Sequence, residues 1–265
     1  MNRKTLFLFI TALAAGVCLQ AQPGTWKQVG PAGTWSNTVF AASSNGNLYT
    51  IEKSGALYKT NPSTGAYTLV SKESYANTMG LIAGDINIFT IEKDGSLYRT
   101  NPSTGVWVAL GKKGEWANTI AGTAMGGFLY TVEKNGALYE TNVNSGVWRQ
   151  IGKPEFGNTV FLYDHLDRLY SIEKDGSLYE INPSNGTWSR KGEAGAWRNT
   201  MGGTVLDGKL YTIENSGRLY QTNLFDATWQ QVGKPEFGNT KFLFAGTGKI
   251  YTIEKSGTLY EINVN

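Results

Sequence analysis

Six copies of an Asn-Thr pair set the frame for this chain. They begin at Asn37, Asn77, Asn118, Asn158, Asn199 and Asn239, and a glutamate follows each Asn at a constant offset: Glu52, Glu92, Glu133, Glu173, Glu214 and Glu254. A period near forty residues over a whole chain marks a repeat architecture, in which each copy is one supersecondary unit. The first copy reads as four short strands. Asn37 to Ser43 is β-branched and apolar, and Ser44-Asn45-Gly46 is a turn. Leu48 to Glu52 alternates with period two, and Lys53-Ser54-Gly55 is a tight hairpin. Leu57 to Thr60 and Tyr67 to Val70 follow, separated by Asn61-Pro62-Ser63-Thr64-Gly65. Four antiparallel strands per forty residues is the unit of a β-propeller blade. The expected fold is all-β, a six-bladed propeller.

The chain ends show how the ring closes. The last copy stops at Leu259-Tyr260-Glu261-Ile262-Asn263, a third strand with no fourth. Near the start, Gly24-Thr25-Trp26-Lys27-Gln28-Val29-Gly30 matches the fourth-strand segment Gly146 to Gly152. The N-terminal strand is therefore expected to complete the last blade, which removes two exposed sheet edges.

A second period overlies the first. The fourth-strand aromatics are Trp26, Tyr67, Trp107, Trp148, Trp188 and Trp229. Their distances to the next repeat-start Asn alternate, 11, 10, 11, 10, 11 and 10 residues. Odd joints end in Trp35, Trp116 and Trp197; even joints end in Tyr75, Phe156 and Phe237. The ring thus reads as three copies of a two-blade unit.

Arg3 and Lys4 followed by an apolar run from Leu6 to Val17 read as an export signal, with cleavage after Ala21. That leaves residues 22–265 as the propeller and predicts a secreted or periplasmic protein. The alternative is a lipoprotein acylated at Cys18, the only cysteine; Val17 is a poor fit to that signal. The net charge of +3 becomes +1 without Arg3 and Lys4 (+3 − 2), with no basic run. That excludes the clustered positive face a nucleic-acid partner needs. No apolar run is long enough to span a membrane, and a monomer is expected.

Enzyme signatures are missing. His165 stands alone, and no Gly-x-Ser-x-Gly elbow, phosphate loop or metal-ligand spacing occurs. Neither cofactor nor metal is expected. Three repeated features could carry function. The six joint aromatics, two residues before each Asn, either wedge between blades or offer a stacking face to a sugar. The six Asn either cap a strand-opening turn through side-chain bonds or offer amides to a polar ligand. The six Glu either accept backbone bonds or pair with the next residue (Lys53, Lys93, Lys134, Lys174 and Lys255, with Asn215 in the fifth copy), or accept ligand hydroxyls. The fourth-strand aromatics and the third-strand Tyr series from Tyr58 to Tyr260 read as packing between blades.

The segments Ile151-Gly152, Phe156-Gly157-Asn158-Thr159-Val160-Phe161-Leu162-Tyr163 and Leu169-Tyr170, with their counterparts from Val232 to Tyr251, resemble the repeat of tachylectin-type β-propeller lectins. The resemblance implies a secreted lectin for N-acetylated amino sugars, with sites between adjacent blades and the joint aromatics as the matching residues. That family closes with five blades, whereas this chain carries six copies. The function expected is non-enzymatic, multivalent carbohydrate binding. The alternatives are a protein-interaction scaffold and, third, a propeller enzyme.

Overall fold

The computed structural model describes residues 22–71 and 74–265. The expected leader and Cys18 lie outside them. Six four-stranded antiparallel sheets form the ring. In blade 1 the strands are Thr38–Ser44, Asn47–Glu52, Leu57–Thr60 and Tyr67–Ser71. Blade 6 comprises Thr240–Ala245, Ile250–Glu254, Leu259–Ile262 and, from the other end of the chain, Trp26–Val29. Trp26 pairs with Ile262 and Val29 with Leu259, so the closure expected from sequence is the one observed.

Apolar residues on the two faces of each blade meet apolar residues of its neighbours, giving six core layers, one per seam. Each layer contains one joint aromatic. Phe156 packs with Val132 and Leu138 of blade 3 and Leu162 and Leu169 of blade 4. Trp116 packs with Ile91 and Leu97 of blade 2 and Leu129 of blade 3. The other seams hold Trp35, Tyr75, Trp197 and Phe237 in the same way. All six rings are buried, between 1 and 5% exposed. Wedging is therefore their observed structural role. The third strand is tuned to the ring: Tyr75 shares a 3.2 Å hydrogen bond with the Thr100 hydroxyl, whereas Phe156 and Phe237 sit with Ile181 and Ile262.

A backbone bond fastens each wedge. The N–H of the joint aromatic donates to the hairpin glycine carbonyl of the preceding blade, at 2.8–3.1 Å in all six seams; Tyr75 to Gly55 and Trp197 to Gly176 are examples. These hairpin glycines have φ near +80°, a region that costs other residues strain. A Cβ on Gly176 would also come within 2.3 Å of the Arg198 nitrogen in the joint. The two joint classes are distinct in backbone too. Odd joints turn through Gly33, Gly114 and Gly195 at positive φ. In the even joints before blades 4 and 6, Glu155 and Glu236 close short bonds to Lys153 and Lys234.

Replacing a wedge opens a cavity that two rigid sheets cannot fill. Trp116→Ala should lower the unfolding free energy by about 3–5 kcal/mol, measured by denaturant titration. A loss under about 1 kcal/mol would contradict the wedge role.

Candidate functional site

The strand-opening region of every blade has one local design. The Thr N–H donates to the joint-aromatic carbonyl at 3.0–3.2 Å, and the residue after each Glu donates its N–H to the repeat Asn carbonyl at 2.8–3.0 Å. The turn is thus closed by backbone bonds, not by the side-chain caps expected from sequence. A register shift follows the Thr in all six first strands, as between Thr119 and Ala121. Such bulges re-aim side chains. Here Thr119 lies opposite Glu133, and its hydroxyl donates to that carboxylate at 2.6 Å. The same bond forms at Glu52, Glu92 and Glu173, at 2.6–2.8 Å. Among the described residues, no repeat Glu forms an ion pair with the Lys after it. Of the alternatives the sequence left open, pairing with the following Lys gives way in these four blades to Glu–Thr, because the Thr is the direct cross-strand neighbour.

These carboxylates look into pockets. In blade 3 a cavity of about 480 Å³ is lined by Trp116, Asn118, Glu133, Lys134, Tyr139 and Trp148, among others. Equivalent cavities of about 410, 490 and 430 Å³ lie on blades 1, 2 and 4. Joint aromatic, Asn and Glu come together in all four, as the sequence brought them together. Their parts differ. The joint aromatic forms the buried back of the pocket. The Asn is exposed in every blade, at the pocket mouth in these four. Blades 5 and 6 carry the same residues, Trp197, Asn199 and Glu214, and Phe237, Asn239 and Glu254.

The accessible aromatic wall comes from residues that sequence reading assigned to packing between blades. The fourth-strand aromatics are 37–60% exposed. Each meets the third-strand Tyr of its own blade edge-on, with centroids 4.3–5.5 Å apart. The rings do pack, Trp26 near Phe237 and Tyr67 near Trp35, but the seams bury them only in part. In blade 4 the Trp188 indole N–H donates to Glu155 at 2.8 Å, and in blade 6 Trp26 donates to Glu236 at 3.1 Å. These carboxylates fix the orientation of the ring. At the floor, the hydroxyls of Thr50 and Thr131 are buried and have no hydrogen-bond partner among the described residues. In blade 4 the corresponding Ser171 bonds Glu173 at 2.9 Å instead. The signal in the sequence was an aromatic retained six times on the outermost strand.

The wall therefore offers an aromatic face, a carboxylate, an amide and an ammonium in a space suited to one or two small polar rings. Burial holds the Glu92, Glu133 and Glu173 carboxyls above their ordinary value of 4.5, against the opposing Thr hydroxyl bonds. No group of three or more His, Cys, Asp or Glu among the described residues could hold a metal. His165, the one histidine, ends the first strand of blade 4 beside Gly208, away from these pockets.

Fold and site together define a six-bladed β-propeller with a repeated polar-aromatic pocket. No protein-family model matches the chain, and no curated protein matches it in sequence. Solved structures share its fold at low identity. A structural-genomics protein of unknown function from Bacteroides thetaiotaomicron is 13% identical over 91% of this chain and 76% of its own, with a TM-score of 0.66. YCF48 from Cyanidioschyzon merolae is 12% identical over 90% and 98%, TM-score 0.59. A structure of YCF48 bound to D1 peptide is 14% identical over 93% and 97%, TM-score 0.55.

Because burial raises the Glu133 pKa, the folded state binds more protons than the unfolded state just above pH 4.5. Its contribution to stability is therefore greatest below 4.5 and is lost as pH rises through the folded value. Glu133→Gln should gain stability relative to the parent between pH 4.5 and 7, read by urea unfolding at both. A variant that loses ground over that interval would show the carboxylate to be a net stabilising acceptor.

Proposed function

We propose that this chain is an exported, non-enzymatic binding protein that captures carbohydrate at the repeated blade pockets, acting as a multivalent lectin. One observation carries the reading: four blades place an exposed Trp or Tyr, an exposed Asn and a half-buried Glu (buried in blade 3) around cavities of similar size. An aromatic face stacks on the C–H surface of a sugar ring, while carboxylate and amide take its hydroxyls and, in an N-acetylated sugar, its amide. Weak single sites on one rigid ring gain from effective concentration when the target displays several glycans. The similarity of the repeat to tachylectin-type lectins agrees with this reading.

A second reading is a protein-interaction scaffold. The outer strands and the residues leading into them also expose Leu69, Val106, Val108 and Val147 beside the aromatic row, and one structural neighbour is described as bound to a peptide.

A glycan array followed by calorimetry on residues 22–265 decides between them. The lectin reading expects binding with more than one site per chain. Trp148→Ala should remove one site while costing no more than about 2 kcal/mol of stability, since its ring is largely an edge contact. Absence of binding to any glycan at millimolar concentration, with glycan-independent capture of a protein, would replace the first reading by the second.

A further inference from the structure

The residue before each joint aromatic is where the otherwise constant pockets differ. The series is Thr34, Ser74, Glu115, Glu155, Ala196 and Glu236, and the first four line the pockets of blades 1 to 4. Glu155 and Glu236 each accept the indole N–H of their own blade's fourth-strand Trp, at 2.8 Å from Trp188 and 3.1 Å from Trp26. Glu115 is the same residue type in the same place, yet its carboxylate turns elsewhere and accepts the Lys112 backbone N–H at 2.7 Å. The odd joint is one residue longer, and its turn through Gly114, at φ +94°, brings that N–H within reach. In blade 1 the Thr34 hydroxyl donates to the Pro31 carbonyl at 2.9 Å, and blade 5 has Ala196 in this place. Among the described residues, Trp148 and Trp229 lack the indole bond and lean edge-on against Tyr139 and Tyr220.

The ring geometry follows the same alternation. Fourth-strand and third-strand rings are 4.3, 4.6 and 4.9 Å apart in blades 6, 2 and 4. They are 5.2, 5.3 and 5.5 Å apart in blades 3, 5 and 1. Blade 2 has the close spacing with Ser74 in place of the carboxylate. The joint therefore sets the spacing, and Glu155 and Glu236 add a hold on the ring. An exposed side chain loses rotamer freedom when a ligand stacks on it, and a ring already held has less to lose. The hold also removes a donor: a held indole offers its face, a free one its face and its N–H.

We propose that Glu155 and Glu236 are positioning residues that make the pockets of blades 4 and 6 the tighter class of site, each taking a sugar by its C–H face on a pre-oriented indole. This division of the sites rests on the carbohydrate reading of the pockets. Glu155 acts through the Trp188 N–H and not on the sugar itself.

Titration of the ¹⁵N-labelled protein with N-acetylglucosamine tests it, each fourth-strand indole reporting its own blade. Trp188 should saturate at about three- to tenfold lower sugar concentration than Trp148. Before sugar is added, its N–H should exchange with solvent more slowly than that of Trp148. Glu155→Ala should bring Trp188 to the affinity and exchange rate of Trp148. Glu155→Gln, whose amide oxygen still accepts the N–H, should keep both near the parent. In Trp188→Phe, which has no N–H to hold, adding Glu155→Ala should change the blade 4 affinity, read at the Asn158 amide, by less than about twofold. Equal saturation of Trp188 and Trp148, an unchanged affinity in Glu155→Ala, or failure of Glu155→Gln to retain it would overturn the proposal while leaving sugar binding in place. A full loss on Glu155→Ala in the Trp188→Phe background would make Glu155 a direct contact and overturn the positioning role. No shift of any fourth-strand indole at millimolar sugar would strike the carbohydrate reading and this division with it, with the exchange contrast between Trp188 and Trp148 left standing.

Discussion

Each seam between blades is held by one aromatic ring and one backbone bond, and the rest of the molecule depends on that pair. The ring fills the space between two sheets, and its N–H reaches back to the hairpin glycine of the blade before. Without the ring the layer has a void; without the glycine the joint cannot approach. The seam fixes the angle at which successive blades meet. It therefore fixes the width of the axial hole and the opening between outer strands.

That opening accounts for the division of labour among the aromatics. Joint and fourth-strand aromatics recur with the same period, yet the first are buried and the second are partly exposed. The joint ring lies where both sheets contribute apolar side chains. The fourth strand is the edge of its blade, and its ring leans on a Tyr of its own sheet. In blades 1 to 4 the bulge after the Thr then supplies the polar part: it sets the hydroxyl opposite the Glu and leaves the carboxylate at the pocket beside the exposed ring.

Much of this was legible in the sequence, because repetition shows it six times. The blade number, the four strands, the closure by Trp26–Val29 and the alternating joints all follow from spacing. The co-location of Trp116, Asn118 and Glu133 also followed, since all three lie within one copy and the joint that precedes it. Which rings stay exposed did not follow. Strand alternation gives two faces but cannot say how far a neighbouring sheet covers an edge strand. The Glu–Thr bond was equally hidden, because a one-residue bulge has no distinctive sequence signature and decides which side chains stand opposite one another.

The eight tryptophans allow a direct test of the split between wedge and binding face. They comprise Trp35, Trp116 and Trp197 in joints, and Trp26, Trp107, Trp148, Trp188 and Trp229 on fourth strands. With indole-¹⁵N labelling, each gives one N–H resonance. Titration with a glycan identified by array should shift the five fourth-strand signals most and the three joint signals least. Larger shifts in the joint indoles, with the fourth-strand signals unmoved, would contradict the account.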